Sequence, residues 1–474
     1  MADDPCLLPA TDQAALVRGG SLSAAELVGA HLYRIERINP AVNAVVTVVA
    51  ERALAAAAAA DRRRATGEPL PPLHGLPIAH KDLVDTAGVR TTYGSPSYAD
   101  HVPDTDELLA ERLRAAGAIL VGKTNTPEWG AGSNTFNPVF GVTRNPWDTA
   151  RSAGGSSGGA AVALACRLVP LADGSDLGGS LRNPAAWNGV VGLRPTPGVV
   201  PSWPDETPWL PFSVDGPIGR TAADVALLLG AMAGPDPRAP LSQRAAALDL
   251  AGPLDAELRR RRVAWSPSLG GLPVEPAVLA AAENAVRQLG DLGLDVCEDE
   301  PDLAGADHVF ETWRAFLFAL SLGDLYDSDG ARMKATVRWN VERGRALSSA
   351  DLIAATRLHA EVCERVGAFF DRYDYLACPV TQVEPFPVQT EYPTEVAGVP
   401  MGSYLEWMRS CSRITVTGCA AVSIPAGLTP SGLPAGLQLV ARPFAERALL
   451  EAAHALDGLM GYSGLVPPAA VDIR

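Results

Sequence analysis

The sequence predicts an α/β protein, an α/β/α sandwich built on a large mixed β-sheet. Helical patterns alternate with short apolar strand patterns along the chain. One example is DELLAERLRAAGAILVGKTN, where an amphipathic helix leads into a strand at 118–121. The 474 residues are 47% hydrophobic and 20% charged, which is typical of a globular protein. The sequence shows no internal repeat of the length that builds solenoid proteins.

The first part of the chain is predicted to be helical. Residues 11–64 carry two helical patterns, and the first opens on Ser21 or Ser23 as an N-cap residue. The second contains a block of alanine, which is the best helix former. We therefore expect residues 1–65 to form a helical segment that packs against a main domain of residues 66–474.

Two strands that end in polar turns follow. The stretch PLHGLPIAHKDLV predicts a buried strand that ends at the charged pair Lys81 and Asp82. Residues 134–145 have the composition of a loop. The run RSAGGSSGGAA comes next and leads into the helical pattern GAAVALACRL. The second of these apolar strands lies in VPLADGSDLGGSLRNPAA, where it runs into a second glycine-rich turn.

The second half of the chain continues the alternation. Strands are predicted at RRVAWS and LDVCE, with a long helix between them. Helical patterns then dominate up to a strand near Cys378. The C-terminal part predicts two strands around a turn and a closing helix, which completes the expected α/β pattern.

Charge and cysteine usage narrow the possible functions. A net charge of −15 and a pI near 5.0 would repel nucleic acids and anionic membranes, so a small-molecule ligand is expected. The start MADDPCLLPA lacks the basic residues of a signal peptide, which predicts a cytoplasmic protein. The seven cysteines form no CxxC pair and the histidines no HExxH motif. We therefore expect reduced thiols, no metal and no cofactor.

Two short motifs suggest functions that their context does not support. GAILVGKT, residues 117–124, matches a phosphate-binding loop, but a charged helix precedes it and its inner residues favour a core strand. Residues 154–158 match the G-x-S-x-G elbow of α/β-hydrolases, but no strand precedes them. The histidines available to such a hydrolase, His308, His359 and His454, all lie in helical patterns.

A lysine and two Ser/Gly turns offer a better-supported chemistry. Only three of the 39 basic residues are lysines, namely Lys81, Lys123 and Lys334. An amine can lose its proton when buried, whereas a guanidinium cannot. A buried Lys81 could therefore serve as the base that activates a serine, with a second serine passing the proton between them. Glycines beside the nucleophile leave backbone N–H groups free to stabilise an oxyanion.

Six segments in order resemble the amidase signature family: PIAHKDLVDTAG, GKTNTPEWGAGSNTFNPVFGVTRNP, SAGGSSGGAAVALA, GSDLGGSLRNPAAWNGVVGLRPT, GPIGRTAADVALLL and GLPAGLQLVAR. These segments lie between residues 77 and 442, and the resemblance extends over about residues 10–460. The intervals of 75 residues from Lys81 to Ser156 and 24 residues from Ser156 to Ser180 also agree with that family. The resemblance implies an amidase signature fold in which 66–474 is the catalytic domain and the more variable 240–400 shapes the substrate pocket.

The resemblance also implies roles for individual residues. Ser180 would be the nucleophile, Ser156 the bridging serine after a cis peptide bond, and Lys81 the base. The main-chain N–H groups of Leu177, Gly178, Gly179 and Ser180 would form the oxyanion hole, and the loop at Gly130 would line the acyl side of the pocket.

Other residues near these motifs are expected to support the site. Asp176 and Arg182 suit a salt bridge that holds the second turn, and Lys123 suits a structural link to a loop. Ser157 either bonds within its turn or helps to hold Lys81. Tyr404 and Trp407 are either core aromatics or pocket residues.

The activity that the resemblance implies is hydrolysis of a non-peptide carboxylic amide through an acyl-enzyme. Aryl amides, oligoamides and carbamates are all compatible substrates, and esters are compatible as a side activity. The family-atypical residues His80 and Leu83 and the stretch SLRNP remove no catalytic group. Two alternatives remain: the glutaminase component of a tRNA-dependent amidotransferase, and a catalytically silent binding protein of the same fold. The expected enzyme binds a small-molecule amide and forms a homodimer or acts alone.

Overall fold

The structure, a computed structural model, describes residues 4–210, 212–242, 250 and 252–470. Within them the chain forms 13 α-helices and 15 β-strands. The helices are α1 (Ala10–Gly19), α2 (Ala24–Val42), α3 (Ala50–Ala65), α4 (Leu108–Ala115), α5 (Gly158–Ala165), α6 (Arg182–Asn188), α7 (Ala222–Met232), α8 (Pro276–Asp291), α9 (Ala306–Asp329), α10 (Ala335–Arg345), α11 (Ser349–Phe370), α12 (Arg409–Val416) and α13 (Glu446–Met460). The strands are β1 (Val45–Val48), β2 (Pro77–Lys81), β3 (Ile119–Thr124), β4 (Phe136–Asn137), β5 (Gly141–Val142), β6 (Leu171–Asp176), β7 (Val191–Arg194), β8 (Val214–Gly219), β9 (Arg262–Trp265), β10 (Asp295–Glu298), β11 (Tyr375–Pro379), β12 (Glu395–Val396), β13 (Val399–Pro400), β14 (Ala420–Leu428) and β15 (Pro434–Ala441).

Eleven of these strands form one mixed sheet in the order β1-β3-β2-β6-β8-β7-β14-β15-β11-β9-β10. The strands β3, β2 and β6 run parallel to one another, as do β11, β9 and β10. The other neighbouring pairs are antiparallel. The predicted α/β class with a large mixed sheet is thus confirmed.

Helices cover both faces of this sheet. Alternate residues of a strand point to opposite faces, and along β15 Leu437 and Leu439 belong to one buried cluster whereas Val440 belongs to another. The first cluster includes buried residues of α2, α5, α7, α8 and α13, and the second includes those of α9, α11 and α12. No helix in the described part of the chain is long and apolar enough to cross a membrane.

The N-terminal region contains a strand where the sequence predicts only helix. Between α2 and α3, β1 pairs antiparallel with β3 and forms one edge of the large sheet. The β-branched stretch VVTV explains this conformation, because such side chains favour extended backbone. The 134–145 segment, predicted as loop, likewise contains the two-residue strand pair of β4 and β5.

The fold brings the two Ser/Gly turns and the end of β2 to the same place. The strand β2 ends at Lys81 and the parallel neighbour β6 ends at Asp176, while α5 begins directly after Ser157. All eight residues of α5 are buried. A Cβ on Gly159 would lie 2.3 Å from the backbone nitrogen of Asn125, so only glycine allows this helix to approach so closely.

Candidate active site

The turns that follow β2 and β6 and the segment before α5 meet at a cavity of about 360 Å³. Most residues of the site expected from the sequence line this cavity, namely Gly130, Ser156, Leu177, Gly178 and Ser180. Lys81 lies directly behind Ser156, and Gly179 lies on the inner side of its turn. The structure therefore brings the sequence-predicted residues together at one site.

Lys81 is enclosed by protein and bonded to two hydroxyls. Its side chain has no exposed surface, and its Nζ lies 2.8 Å from Ser156 Oγ and 2.9 Å from Ser175 Oγ. Within the described residues, no carboxylate forms an ion pair with this amine. A charged amine is costly in such surroundings, because neutral hydroxyls compensate only part of the lost hydration.

Burial lowers the pKa of Lys81 from 10.5 to about 7. The carboxylates of Asp215, Asp176 and Asp173 act in the opposite direction and favour the ammonium form, but the effect of burial is larger. A neutral amine is consequently accessible near neutral pH. Such an amine can accept a proton from the hydroxyl of Ser156 and donate a hydrogen bond to Ser175.

Asp173 on β6 fixes the end of β2. One carboxylate oxygen of this buried residue accepts the backbone N–H of Lys81 at 2.8 Å. The other oxygen accepts a hydrogen bond from Nδ1 of His80. His80, which departs from the residues usual in the family, therefore has a local role in holding the strand that carries Lys81.

The segment that carries Ser156 is packed between two neighbouring turns. The peptide bond between Gly155 and Ser156 is cis. A Cβ on Gly155 would lie 2.9 Å from Thr135 Oγ1, so this position requires glycine. The backbone N–H of Ser157 donates to the carbonyl oxygen of Ser180 at 3.2 Å, which ties the two Ser/Gly turns together. The Ser157 hydroxyl donates to the carbonyl of Ser175, so Ser157 bonds to the neighbouring strand and not to Lys81.

The turn at 177–180 presents backbone N–H groups to the cavity. Within the described residues, the amides of Leu177, Gly178 and Ser180 donate to no protein acceptor. The amide of Gly179 differs, because it donates to Asp176 Oδ1 at 2.9 Å. Three of the four expected N–H groups are therefore free to bind a substrate oxygen, and the fourth holds the turn in shape.

Asp176 anchors this turn through two buried guanidinium groups. Arg182 donates to both of its carboxylate oxygens, at 2.8 and 3.0 Å, and Arg194 Nη1 lies 3.4 Å from Oδ1. Burial alone would raise the pKa of Asp176, but the charges and hydrogen bonds of these arginines hold it well below its usual range. The structure shows the predicted salt bridge of Asp176 and Arg182 and adds Arg194 to it.

Neither the phosphate-loop interpretation nor the histidine-dependent hydrolase interpretation fits the structure. The phosphate-loop match falls on β3, and the buried Lys123 Nζ donates to Thr91 Oγ1 at 3.1 Å and to the carbonyl of Val84. None of the histidines that a hydrolase triad would need lines the cavity. His359, for example, bonds through Nε2 to the carbonyl of Val416 at 2.8 Å.

Sequence reasoning did not identify three polar residues at the site. Ser175 is the second hydroxyl on Lys81, and Asp215 lies opposite Ser175 in the pairing of β6 with β8. Arg314 of α9 also lines the cavity and bonds to the hydroxyl of Tyr404. Trp407 is a core residue that stacks on Trp187. Only Ser175 has a local signal, because it stands in the segment GSDLGGSLR that also carries Ser180.

Comparison with known proteins shows several amide-processing enzymes that are similar to this chain. An acylamidase from Rhodococcus erythropolis is 34% identical over 97% of both chains. An indoleacetamide hydrolase from Bradyrhizobium diazoefficiens is 36% identical, over 95% of this chain and 86% of its own. A glutamyl-tRNA(Gln) amidotransferase component from Acidothermus cellulolyticus is also 36% identical and covers 94% of this chain and 93% of its own. The crystal structure of a bacterial aryl acylamidase of the amidase signature enzymes matches with a TM-score of 0.92 and 27% identity over 99% of both chains.

A sequence model of the Amidase family matches residues 26–450. This match covers most of the chain and includes every residue of the candidate site. Sequence and fold together place the chain in the Amidase family, as an amidase-class hydrolase.

Proposed function

We propose that this enzyme hydrolyses a small, non-peptide carboxylic amide with Ser180 as nucleophile, Ser156 as proton relay and Lys81 as base. One observation carries the proposal: the buried Lys81 amine lies 2.8 Å from Ser156 Oγ, at the wall of the cavity that Ser180 also lines. A serine hydroxyl is a weak nucleophile unless a base accepts its proton. Lys81, with a pKa near 7, is suited to that task.

The first half of the reaction forms an acyl-enzyme. Ser180 Oγ attacks the amide carbon while its proton passes to Ser156 Oγ, and the Ser156 proton passes to neutral Lys81. The tetrahedral intermediate then collapses as the C–N bond breaks. The proton held by Lys81 returns through Ser156 to the departing nitrogen, which leaves as a neutral amine.

Water completes the cycle along the same path. It attacks the acyl carbon, gives its proton through Ser156 to Lys81, and releases the carboxylic acid when Ser180 regains a proton. The free amides of Leu177, Gly178 and Ser180 would stabilise the oxyanion in both halves. Each such donor is worth roughly 100-fold or more in rate.

The cavity favours an aryl or alkyl amide as substrate. Its walls include the apolar side chains of Trp129, Leu177, Phe318 and Met408, which can pack against an aromatic or aliphatic group. The acylamidase and aryl acylamidase relatives support this substrate class. Oligoamides and carbamates are further candidates, as are esters for a side activity, because all present a similar carbonyl to the nucleophile.

A second candidate function is the glutaminase half of a tRNA-dependent amidotransferase. The 36% identity to the glutamyl-tRNA(Gln) amidotransferase component favours it. Such a protein would copurify with a second chain and hydrolyse glutamine only in its presence. Turnover of simple anilides by the isolated chain, without glutaminase activity, would support the first proposal over this one. The cytoplasmic location and the homodimer remain predictions.

Turnover of an anilide by single-residue variants tests the proposed mechanism. We expect Ser180→Ala to abolish activity and Lys81→Ala to lower it by roughly 1,000-fold or more. Ser328→Ala is the control, because this exposed serine of α9 bonds only to carbonyls of its own helix. Folding of each variant is checked by circular dichroism. Substantial activity in a folded Ser180→Ala or Lys81→Ala protein would overturn the assignment.

A further inference from the structure

One face of α9 forms part of the wall of the cavity that Ser156 and Ser180 also line. Arg314, Leu317, Phe318, Ser321 and Leu322 of this helix line the cavity. Their spacing of three and four residues places them along a single side of the helix. One turn before Arg314, Phe310 packs against the turn at 177–180, since a Cβ on Gly178 would lie 2.9 Å from Phe310 Cζ. The backbone of Arg314 is therefore one helical turn from a residue that packs against the expected oxyanion hole.

Arg314 is buried and only partly bonded. Its exposed fraction is 4%. Nε and Nη2 both donate to the Tyr404 hydroxyl, at 3.2 and 2.9 Å, and Asn340 Nδ2 donates to the same oxygen at 2.6 Å. The acceptor capacity of that oxygen is thus fully used. Nη1 has no acceptor among the described residues, yet it is not enclosed by protein atoms, so it faces the cavity that Arg314 lines.

No carboxylate of the described residues neutralises this guanidinium. The face of Phe318 lies 4.5 Å from its central carbon, and that of Tyr404 5.7 Å, which offers only a cation–π contact. Neighbouring cations do have anionic partners, as in the contact of Lys334 Nζ with Glu391 at 3.2 Å. A buried cation without a counter-ion is costly unless a bound ligand provides one.

We propose that Arg314 is a specificity-determining residue that binds a carboxylate carried by the amide substrate. This inference rests on the proposed amidase function. It narrows the substrate class to amides that carry an anionic group within reach of Arg314 when the scissile carbonyl lies at Ser180. The free Nη1 donates the charge-assisted hydrogen bond, while Tyr404 and Asn340 hold the guanidinium in place.

Matched substrates test the proposal. Succinyl anilide carries a carboxylate on its acyl arm, and butyryl anilide has a methyl group at that position. A second pair, butyryl 4-aminobenzoate and butyryl 4-toluidide, places the same difference on the amine arm. We expect the wild-type enzyme to prefer the anionic member of one pair by roughly 10- to 100-fold in kcat/KM. Arg314→Gln should remove this preference by raising KM for the anionic member, whereas the Ser328→Ala control should retain the preference.

Two further measurements keep the test decisive. Tyr404→Phe retains the charge of Arg314 but removes the hydroxyl that holds its guanidinium, so it should weaken the anion preference without abolishing it. Calorimetric titration of the wild-type enzyme with glutarate and with butyrate tests anion binding without any turnover, and glutarate should bind more tightly. Failure of every anilide to react would reject aryl amides as substrates but not anion binding by Arg314. Equal kcat/KM values within both pairs, or an anion preference that persists in Arg314→Gln, would overturn the role of Arg314.

Discussion

Lys81 has the chemical environment that a neutral lysine base requires. Its amine is fully buried and its bonding partners are hydroxyls, whereas an ordinary buried lysine is paired with a carboxylate. Lys123 is also buried and bonded to neutral groups, a carbonyl and threonine hydroxyls of one loop, but none of these partners lines the cavity. Of these two buried lysines, only Lys81 contacts a serine that lines the cavity.

The first prediction concerns the pH dependence of the wild-type enzyme. Below the pKa of Lys81, near 7, the amine is protonated and cannot accept the serine proton, so kcat/KM should rise as pH increases through about 7. Initial rates on an anilide from pH 5.5 to 9 measure this rise. The Ser328→Ala control should show the same profile, and Lys81→Arg should be inactive at every pH. A flat profile between pH 6 and 8 would contradict the role of Lys81.

A second prediction concerns Asp215. Its carboxylate favours the ammonium form of Lys81, and burial together with neighbouring Asp173 raises the pKa of Asp215 itself. Asp215→Asn removes the negative charge, so the pKa of Lys81 should fall and the ascending limb of kcat/KM should move to lower pH. Asp205 also lines the cavity but does not contribute comparably to the pKa of Lys81. In Asp205→Asn the ascending limb of kcat/KM should therefore stay at the wild-type pH. A shift to higher pH in Asp215→Asn would contradict this electrostatic account.

At the scale of the structural element, the turn between β6 and α6 is shaped by both backbone and charge. Gly179 has a φ of +112°, which side chains other than glycine rarely tolerate. Its N–H is held by Asp176, which is held in turn by Arg182 and Arg194. Among the described residues, the amides on either side of Gly179 have no protein acceptor, so they can bind a substrate oxygen.

The chain offers a matched pair of glycines with which to test this turn. A Cβ on Gly179 would lie 2.6 Å from Cys411 Cβ, whereas Gly427 has the same φ of +112° and nothing within 4 Å. Replacing either by alanine should cost about 1–3 kcal/mol in stability from backbone strain. Only Gly179→Ala should also displace the turn and lower kcat by roughly 100-fold or more. Urea denaturation and anilide turnover measure both effects, and a fully active Gly179→Ala enzyme would contradict the account.

At the scale of the whole molecule, the N-terminal segment is part of the same core as the site. Leu27 and Ile35 of α2 belong to the buried cluster that also contains Ile78 of β2 and Val121 of β3. The strand β1 extends the sheet on which Lys81 lies. We therefore propose that residues 1–65 and 66–474 unfold as one cooperative unit, although the sequence divides them by composition.

A pair of leucines tests this cooperativity. Leu27 is fully buried, whereas Leu54 of α3 is 43% exposed. Leu27→Ala should lower the free energy of unfolding by about 2–5 kcal/mol, and Leu54→Ala by much less. In urea, the loss of circular dichroism and the loss of activity should coincide in each variant. Activity that survives a separate early transition in Leu27→Ala would show that the N-terminal segment unfolds independently.

How much of the site was predictable depends on the range of the interactions. Lys81, Ser156 and Ser180 stand in short motifs with recognisable neighbours, so their convergence on one cavity could be predicted. The positions of Asp215 and Arg314 depend on the pairing of β8 with β6 and on how α9 packs across the cavity. Those contacts join distant parts of the chain, and no local pattern records them.

The same limit applies to the fold. Alternating patterns predicted the α/β class and most helices, but β1 was missed because four residues between two strong helices carry little periodic signal. The bond from the Gly179 amide to Asp176 was missed for another reason. It depends on the conformation of a tight turn and not on residue type, so sequence alone could not distinguish this amide from its neighbours.

Identification of the acylated residue tests the central claim most directly. The enzyme is mixed with a slowly deacylating nitrophenyl carbamate and quenched with acid, and the modified peptide is sequenced by mass spectrometry. We predict one carbamoyl group on Ser180, no label in Ser180→Ala, and strongly slowed labelling of Ser180 in Ser156→Ala and Lys81→Ala. A label on Ser156, or undiminished labelling in Ser180→Ala, would contradict the assignment of Ser180 as the nucleophile.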